Sequence, residues 1–283
     1  MRTISFFRTS DHEYAVTNVY VHGYDPKENL RLQDQASTLV ELLHPDTRYA
    51  AGSRVLEAGC GVGTQTVTLA RNSPEAFITS IDISEASIAA ARRAVAANGN
   101  TNVDFLQADI FDLPFPADFF DHVFVCFVLE HLARPVEALR ELSKVLKPRG
   151  TITLIEGDHG STYFHPKSEA ADKAIRCLVD LQARAGGNAL VGRQVYPLLR
   201  QAGFDSVRVS PRMVYVDASK PELIDGFTIR TFTAMVAGIR ENALSAGMID
   251  QATFDTAIVD LNRTTREDGV FCYTFFKGTA VKC

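Results

Sequence analysis

The sequence predicts an α/β fold with a doubly wound, mostly parallel sheet that helices cover on both faces. Strand-like apolar segments alternate with helix-like segments along most of the chain, which is the pattern of this fold class. A glycine-rich turn joins the first strand to the first helix, and acidic residues stand at the ends of the first three strands. Together these observations predict a ligand site at the carboxyl ends of the strands.

The predicted elements follow one another in a regular order after the first strand, which begins at Val55. Further strands are predicted where apolar and β-branched residues recur, at 76–83, 103–108, 121–128, 150–156, 206–216 and 270–281. Helices are predicted at 135–146, 167–185, 193–202, 221–246 and 251–266. The helical residues 221–266 look like an insertion before the last strand, so we expect them to cover the pocket of a second ligand.

The glycine-rich turn reads VLEAGCGVGTQ over residues 55–65. Glycines at every second position, from Gly59 to Gly63, remove the Cβ atoms that would keep a ligand off the backbone, and the next helix offers free N–H groups. A dinucleotide fingerprint begun at Gly59 requires glycine at position 64, where Thr64 stands. Glu57 disfavours a pyrophosphate but suits a ligand that carries an ammonium group. S-adenosylmethionine carries one, together with a sulfonium.

Two further carboxylates indicate a ligand with a ribose and an adenine. Asp82 ends the second predicted strand, where it can accept two hydrogen bonds from a ribose diol. Asp109 follows the third strand and can accept a hydrogen bond from an exocyclic adenine amine. Three acidic strand ends in register favour a nucleoside-containing cofactor over a chance arrangement.

Six sequence motifs stand in a characteristic order between roughly residues 20 and 160. They are VLEAGCGVGTQT, SIDIS, QADIFDLPF, DHVFVCFVLEHL, ALRELSKVLKPRG and TITLIEGD. With them the chain resembles the class I S-adenosylmethionine-dependent methyltransferases, and within that class the ubiquinone and menaquinone biosynthesis group. The resemblance implies a seven-stranded, Rossmann-like sheet whose last strand is antiparallel. Arg149 departs from the family pattern, which usually has glycine there, and we expect Gly150 to preserve the turn.

The resemblance also implies which residues hold S-adenosylmethionine. Glu57 would bind the methionine ammonium, Asp82 the ribose hydroxyls and Asp109 the adenine amine. The complete implied set, with the two isoleucines on either side of the adenine, is Glu57, Gly59, Cys60, Gly61, Asp82, Ile83, Asp109, Ile110, Phe127 and Tyr24. The alternative is that the carboxylates only cap helices, as acidic residues after strands commonly do.

The composition fits one globular domain and excludes several classes of protein. The 283 residues are 46% hydrophobic, which is enough for a substantial core, and the net charge of −5 argues against a nucleic-acid partner. No segment approaches the 18 or so apolar residues of a membrane span, so we expect a cytoplasmic protein. Five scattered cysteines without a C-x-x-C pair imply neither disulfides nor a metal site, and Cys60 is expected to pack inside the glycine turn. The oligomeric state stays open.

Candidate residues for acceptor chemistry follow the fifth predicted strand in the segment EGDHGSTYFH. Methyl transfer is an in-line displacement, so the protein must position the acceptor and, where needed, remove its proton. We expect His159, oriented by Glu156 or Asp158, to take that proton. The alternative is that Asp158 and His159 cap the next helix. Glu130 and His131, after the fourth strand, are assigned a structural or cofactor-side role.

We divide the chain into three parts of one compact domain. Residues 46–160 form the cofactor-binding core, and residues 161–283 complete the sheet and supply the acceptor pocket. Residues 1–45 are expected to form a helical lid that covers the cofactor or pins a helix to the core, through Tyr20, His22, Tyr24, Arg31 and Gln35.

Aromatic residues in the C-terminal part favour a small planar or lipophilic acceptor over a protein or nucleic acid. Phe275 and Phe276 are assigned to packing, because their strand has the pattern of a buried strand. An indole-like carbon acceptor is one option beside quinone-like and other natural-product acceptors. Two other classes stay open: a nucleotide-dependent oxidoreductase, against which Glu57 and Thr64 argue, and a methyltransferase fold that binds cofactor without turnover.

Overall fold

In the computed structural model, which describes residues 38–283, one seven-stranded sheet runs through the molecule in the order β3-β2-β1-β4-β5-β7-β6. Strands β1 to β5 pair in parallel, whereas β7 lies antiparallel to both of its neighbours, β5 and β6. This arrangement confirms the predicted fold class. The strands are β1 Arg54–Ala58, β2 Phe77–Asp82, β3 Val103–Gln107, β4 Phe120–Cys126, β5 Leu146–His165, β6 Phe204–Val216 and β7 Val270–Lys282.

Helices connect the strands and form a group before β7. They are α1 Thr64–Asn72, α2 Glu85–Ala97, α3 Pro135–Val145, α4 Glu169–Arg184, α5 Val195–Gln201, α6 Pro221–Leu223, the π-helical α7 Ile224–Thr233, α8 Ala234–Gly238, α9 Arg240–Ser245 and α10 Gln251–Arg263. Short 3₁₀ turns lie at Leu129–His131 and Val191–Gln194, and residues 38–43 are also helical. Ser84, Ser168 and Asp250 cap α2, α4 and α10 by accepting a backbone N–H from the first turn of each helix.

Strand β5 is longer than the sequence predicts. The prediction ended at residue 156, but the strand continues to His165 because Tyr163, Phe164 and His165 pair with the beginning of β7. The register shifts between Asp158 and Tyr163, so the turn-forming residues there are accommodated as an irregularity within the strand. The segment EGDHGSTYFH therefore lies on a strand, and the cap of the following helix is Ser168 rather than Asp158 or His159.

Two buried clusters lie on opposite faces of the sheet. One contains the aromatic residues of β7 together with Phe227 and Phe232 of α7 and Leu39 of the helical residues 38–43. The other joins the opposite face of β1, β4 and β5 to α3 and α5, with Leu142 and Leu199 among its fully buried side chains. Burial of both faces explains why the parallel strands are continuously apolar. Within residues 38–283, none of the helices combines the length and the apolar character that crossing a bilayer requires.

A buried lysine fixes the segment that follows helical residues 38–43. The side chain of Lys277 on β7 is 3% exposed, and its Nζ donates to Leu43 O at 3.1 Å, Asp46 Oδ1 at 2.7 Å and Thr47 Oγ1 at 2.6 Å. Arg212 on β6 donates to the other oxygen of Asp46 at 2.6 Å. These contacts tie the start of the described chain to the two antiparallel strands.

The turn that leads into the long part of β5 uses two residues differently. Arg149 adopts a φ of 63°, a left-handed conformation that glycine normally supplies. Gly150 is needed for space instead, because a Cβ there would lie 2.8 Å from Leu146 Cδ1 and 2.9 Å from Asp121 O. Arg149 thus adopts the left-handed conformation of the turn, and Gly150 provides the space that the turn needs.

Candidate cofactor and acceptor site

The glycine turn after β1 is shaped by packing at its two ends and is open in its middle. Gly59 has a φ of +79°, and a Cβ there would lie 2.5 Å from Val128 Cγ2. Gly63 has a φ of +84°, and a Cβ there would lie 2.7 Å from Ala91 Cα on α2. A Cβ on Gly61 would meet no atom of residues 38–283 within 4 Å. The outer glycines therefore let the turn pack, whereas Gly61 presents bare backbone toward open space, as a bound ligand requires.

Glu57 is a buried carboxylate with one oxygen left over. Its Oε2 accepts hydrogen bonds from Thr66 Oγ1 at 2.7 Å and Ser80 Oγ at 2.6 Å, and the residue is 1% exposed. Its Oε1 is also buried and has no hydrogen-bond partner among the described residues. Burial raises the pKa of Glu57 to about 7, against an ordinary value of 4.5. An orphaned carboxylate oxygen at this position fits a ligand with a positively charged group.

The predicted ribose and adenine residues lie at the carboxyl ends of β2 and β3, which are neighbours in the sheet. Asp82 accepts from Gly61 N at 2.8 Å through Oδ2 and from Ser84 N at 2.9 Å through Oδ1. Each oxygen keeps a second lone pair for a ligand hydroxyl. Asp109 is exposed, and among the hydrogen bonds of the described residues its side chain accepts only from Phe111 N, through Oδ1.

The apolar residues beside these carboxylates differ in exposure. Ile83 is 59% exposed, although it stands directly at a strand end, and Ile110 is half-buried. Exposed isoleucine next to an open glycine turn is a surface that an adenine ring can cover. The structure thus brings Glu57, Gly61, Asp82 and Ile83 to one edge of the sheet.

Cys60 and Phe127 fix the two sides of the turn. Cys60 is 5% exposed, its N–H donates to Ile81 O at 2.9 Å, and burial raises the pKa of its thiol, so the side chain packs. Phe127 follows β4 with a φ of 58°, which is uncommon for a bulky residue and points to a functional constraint. Its ring packs 5.4 Å from that of Phe275 on β7.

Tyr24, like the other lid candidates Tyr20, His22, Arg31 and Gln35, lies outside the described residues.

A second polar cluster lies at the ends of β4 and β5, directly beside Phe127. Glu156 is fully buried, and its Oε1 accepts from Val128 N at 3.1 Å and Leu129 N at 2.8 Å. Its Oε2 is buried and has no hydrogen-bond partner within the described part of the chain. Burial and the neighbouring Glu130 raise the pKa of Glu156 to about 8. Glu156 therefore holds the backbone that carries Phe127 and Val128 against the cofactor turn.

His159 has partners other than those that the sequence suggested. Asp158, which is 2% exposed, forms a bidentate ion pair with Arg193 at 2.7 and 2.8 Å, so it is already neutralised. His159 Nδ1 lies 2.7 Å from the hydroxyl of Tyr273, and its Nε2 lies 3.9 Å from Glu130 Oε2. The carboxylate that faces the His159 ring is thus Glu130, to which the sequence analysis assigned a structural or cofactor-side role.

Aromatic side chains enclose this polar cluster on the side of α7. The Phe232 ring lies edge-on to His159 with centroids 6.5 Å apart, and Tyr273 packs against Phe227, Phe232 and Phe275. All four rings are at most 2% exposed, as expected for Phe275 from its packing role, whereas Phe276 is half-buried. Aromatic rings therefore cover His159 on the side of α7.

One segment of the chain matches a known protein family. Residues 56–154 match the family described as the methyltransferase domain. This segment holds the glycine turn, Asp82, Asp109 and the first part of β5, up to residue 154. Residues 56–154 therefore resemble the domain of the class I S-adenosylmethionine-dependent methyltransferases, a class whose cofactor is S-adenosyl-L-methionine.

The chain is also similar to three particular proteins. The chain is 28% identical to 27-O-demethylrifamycin SV methyltransferase of Amycolatopsis mediterranei, over 84% of its own length and 81% of the relative. It is 40% identical to demethylmenaquinone methyltransferase of Clavibacter sepedonicus over 38% of its length, which covers 42% of that enzyme. It is 33% identical to an uncharacterised 37.1 kDa protein in transposon TN4556 of Streptomyces fradiae, of which it covers 54%. The chain thus spans about half the length of the last two relatives.

A solved structure shows the same fold. Phosphoethanolamine N-methyltransferase 2 of Haemonchus contortus, in complex with phosphomonomethylethanolamine and S-adenosylhomocysteine, superposes with a TM-score of 0.54 over 88% of this chain and 52% of that one. The sequence identity is 17%, so this likeness concerns the fold.

Proposed function

We propose that the protein transfers a methyl group from S-adenosylmethionine to a small, planar or lipophilic acceptor. The observation that carries the proposal is the adjacency of two differently built sites. An open glycine turn with an orphaned Glu57 oxygen lies beside an apolar, aromatic-walled cluster that contains His159 and Glu130. A pure binding protein has no need of the second cluster, whereas an acceptor must be positioned there.

The residues at the turn divide the binding of the cofactor among them. Glu57 Oε1 would face the ammonium group, Asp82 would accept from the ribose hydroxyls, and Asp109 would accept from the adenine amine between Ile83 and Ile110. Bare backbone at Gly61 allows close approach. When bound, the cofactor supplies an electrophilic methyl carbon on a sulfonium.

The acceptor pocket is proposed at the carboxyl ends of β4 and β5 under α7. Phe127, Phe232 and Tyr273 offer ring faces and edges there, which suits a planar substrate. The names of two relatives, a rifamycin and a menaquinone methyltransferase, also favour a small-molecule acceptor over a macromolecule. Indole-like and quinone-like molecules are both compatible with these walls, and neither the methylated atom nor its source pathway follows from them.

Removal of a proton from the acceptor is assigned to the histidine and carboxylate cluster. His159 lies in apolar surroundings, where an ionised acceptor would be costly, so transfer and proton removal have to occur together. The proposal expects His159→Ala to lower turnover more than tenfold while S-adenosylhomocysteine still binds. A smaller loss would place the proton acceptor elsewhere.

Two measurements test the proposed function. Calorimetric titration with S-adenosylhomocysteine should show micromolar or tighter binding, and NADH, as the control titrant, should not bind; the reverse result would favour an oxidoreductase. Screening of planar acceptors with labelled S-adenosylmethionine should then show transfer. Binding without transfer to any acceptor would support a non-catalytic methyltransferase fold.

A further inference from the structure

We propose that Tyr273, His159, Glu130 and His131 form a proton relay that leads from the acceptor pocket to solvent, with Tyr273 as the catalytic residue that meets the acceptor. This inference rests on the proposed function and adds to it a catalytic residue on β7. The four residues come from three separate parts of the chain, which the fold brings into one line. The set is called the buried relay below.

The geometry of the buried relay gives each step a direction. Tyr273 OH lies 2.7 Å from His159 Nδ1, and in the proposed relay the phenol donates to Nδ1 of the tautomer whose ring proton is on Nε2. Nε2 lies 3.9 Å from Glu130 Oε2, and the other oxygen of Glu130, Oε1, lies 3.6 Å from His131 Nε2. The two longer gaps close to hydrogen-bond length with movements of about 1 Å, as catalytic contacts commonly do when substrate binds.

Burial decreases steadily along the buried relay. Tyr273 is 2% exposed, and the side chains of His159, Glu130 and His131 are 7%, 11% and 24% exposed. A series of side chains that runs from a buried tyrosine to a partly exposed histidine has the direction that export of a proton requires. Gly157 makes room for the inner end, because a Cβ there would lie 2.3 Å from the Tyr273 hydroxyl.

Two charged side chains beside the buried relay have partners of their own among the described residues. Asp158 is held by Arg193, and Glu156 accepts from Val128 N and Leu129 N. Gln182 Nε2 donates to Glu130 Oε2 at 3.3 Å and thereby holds the carboxylate between the two histidines. Burial raises the pKa of Tyr273, so the phenol keeps its own proton at neutral pH.

One proton crosses the buried relay for each methyl group transferred. The acceptor atom forms its new bond to carbon with its own electron pair, and the electron pair of the broken carbon–sulfur bond stays on sulfur. The acceptor's proton passes to the Tyr273 oxygen while the phenol proton moves to His159 Nδ1. The Nε2 proton moves to Glu130, Glu130 passes a proton to His131, and His131 releases one to water. The relay is reset when His159 loses its Nδ1 proton and regains one on Nε2, which leaves the proton count unchanged.

The decisive experiment compares Tyr273→Phe and Glu130→Gln with two matched controls, Tyr196→Phe and Glu137→Gln, which make the same chemical changes at exposed positions. Each relay variant should lower kcat about 100-fold, the usual contribution of a positioned proton acceptor, and leave S-adenosylhomocysteine affinity within about threefold of the wild type. The double variant should be no slower than either single variant, because the residues act as one unit. The controls should remain within about twofold of the wild type.

Additive losses in the double variant, or relay variants as active as the controls, would overturn the proposal. Glu130→Asp keeps the charge and serves as a second variant should Glu130→Gln not fold; it should give an intermediate kcat. If the wild type methylates no acceptor, the proposed function fails. The ¹⁵N chemical shifts of the His159 ring then test the relay independently of activity. Tyr273→Phe and Glu130→Gln must each shift the His159 signals, and unchanged signals would refute the connection.

Discussion

Replacement of Glu57 by glutamine should make the protein more stable and unable to hold its cofactor. The pKa of Glu57 rises from 4.5 to about 7 because the carboxylate is buried without a counter-charge. The folded protein therefore holds a proton that the unfolded chain releases between these two values, so the free energy of unfolding falls as pH rises through this window. Above pH 7 the ionised group costs about 3 kcal/mol, at about 1.4 kcal/mol for each pH unit.

Glutamine has the same shape, and its amide oxygen can still accept from Thr66 and Ser80. The amide N–H groups would lie where Oε1 already lacks a partner, which offsets part of the gain. We expect a net gain of about 1–3 kcal/mol at pH 8, or roughly 3–10 °C in Tm for a domain of this size. Loss of a buried charge partner should weaken S-adenosylhomocysteine binding at least about 30-fold.

Thermal unfolding at pH 5 and pH 8, with and without S-adenosylhomocysteine, measures both effects at once. The gain from Glu57→Gln should be present at pH 8 and nearly absent at pH 5, where Glu57 is already protonated. Glu141→Gln, which alters only an exposed pair with Lys144, is the matched control. A Glu57→Gln protein that is less stable at pH 8, or that binds the ligand as tightly as the wild type, would refute the reasoning.

Further predictions concern the pH dependence of binding and the stability of the turn and the anchor. S-adenosylhomocysteine affinity should fall up to about tenfold for each pH unit below 7, because Glu57 must lose its proton to face the ammonium; calorimetry over pH 5.5–8 would show no such slope if another group binds it. Gly150→Ala should lower the free energy of unfolding by about 1–3 kcal/mol, because its Cβ would be overcrowded. Arg149→Gly should change the same free energy by less than about 1 kcal/mol, because the relief of backbone strain and the added entropy of the unfolded chain oppose each other. Urea denaturation of both variants measures these effects. Lys277→Met should lower the same quantity by about 2 kcal/mol, mainly by leaving buried acceptors unpaired, and an effect below about 0.5 kcal/mol would show that water replaces the ammonium.

The local sequence was enough to predict the parallel half of the sheet, because each strand and turn there has a characteristic residue pattern. The turn after β1 requires glycine, and the strands are short apolar segments between helices. The second half of β5 could not be found in this way. Residues around His159 and Gly160 are typical of a turn, and only pairing with β7, more than 100 residues later, extends the strand to His165.

The candidate site, too, was predicted from the sequence only in part. The cofactor residues from Glu57 to Asp109 belong to a contiguous, patterned stretch, so spacing and chemistry indicated them. The partners of the acceptor cluster depend on contacts distant in sequence: Arg193 pairs with Asp158, and Tyr273 with His159 across 114 positions. A single sequence carries no signal for such pairs, which is why Glu156 and Asp158 were expected beside His159 where the structure has Glu130.

The insertion of β7 between β5 and β6 has a consequence for how the protein is made. β6 forms its sheet hydrogen bonds with β7, so a nascent chain that has not yet emerged beyond residue 270 has no place for β6 in the sheet. The cofactor-binding strands can assemble on the ribosome, but the walls of the acceptor pocket must wait for the last strand. A prematurely terminated chain would then retain the means to capture S-adenosylmethionine without a closed pocket in which to use it.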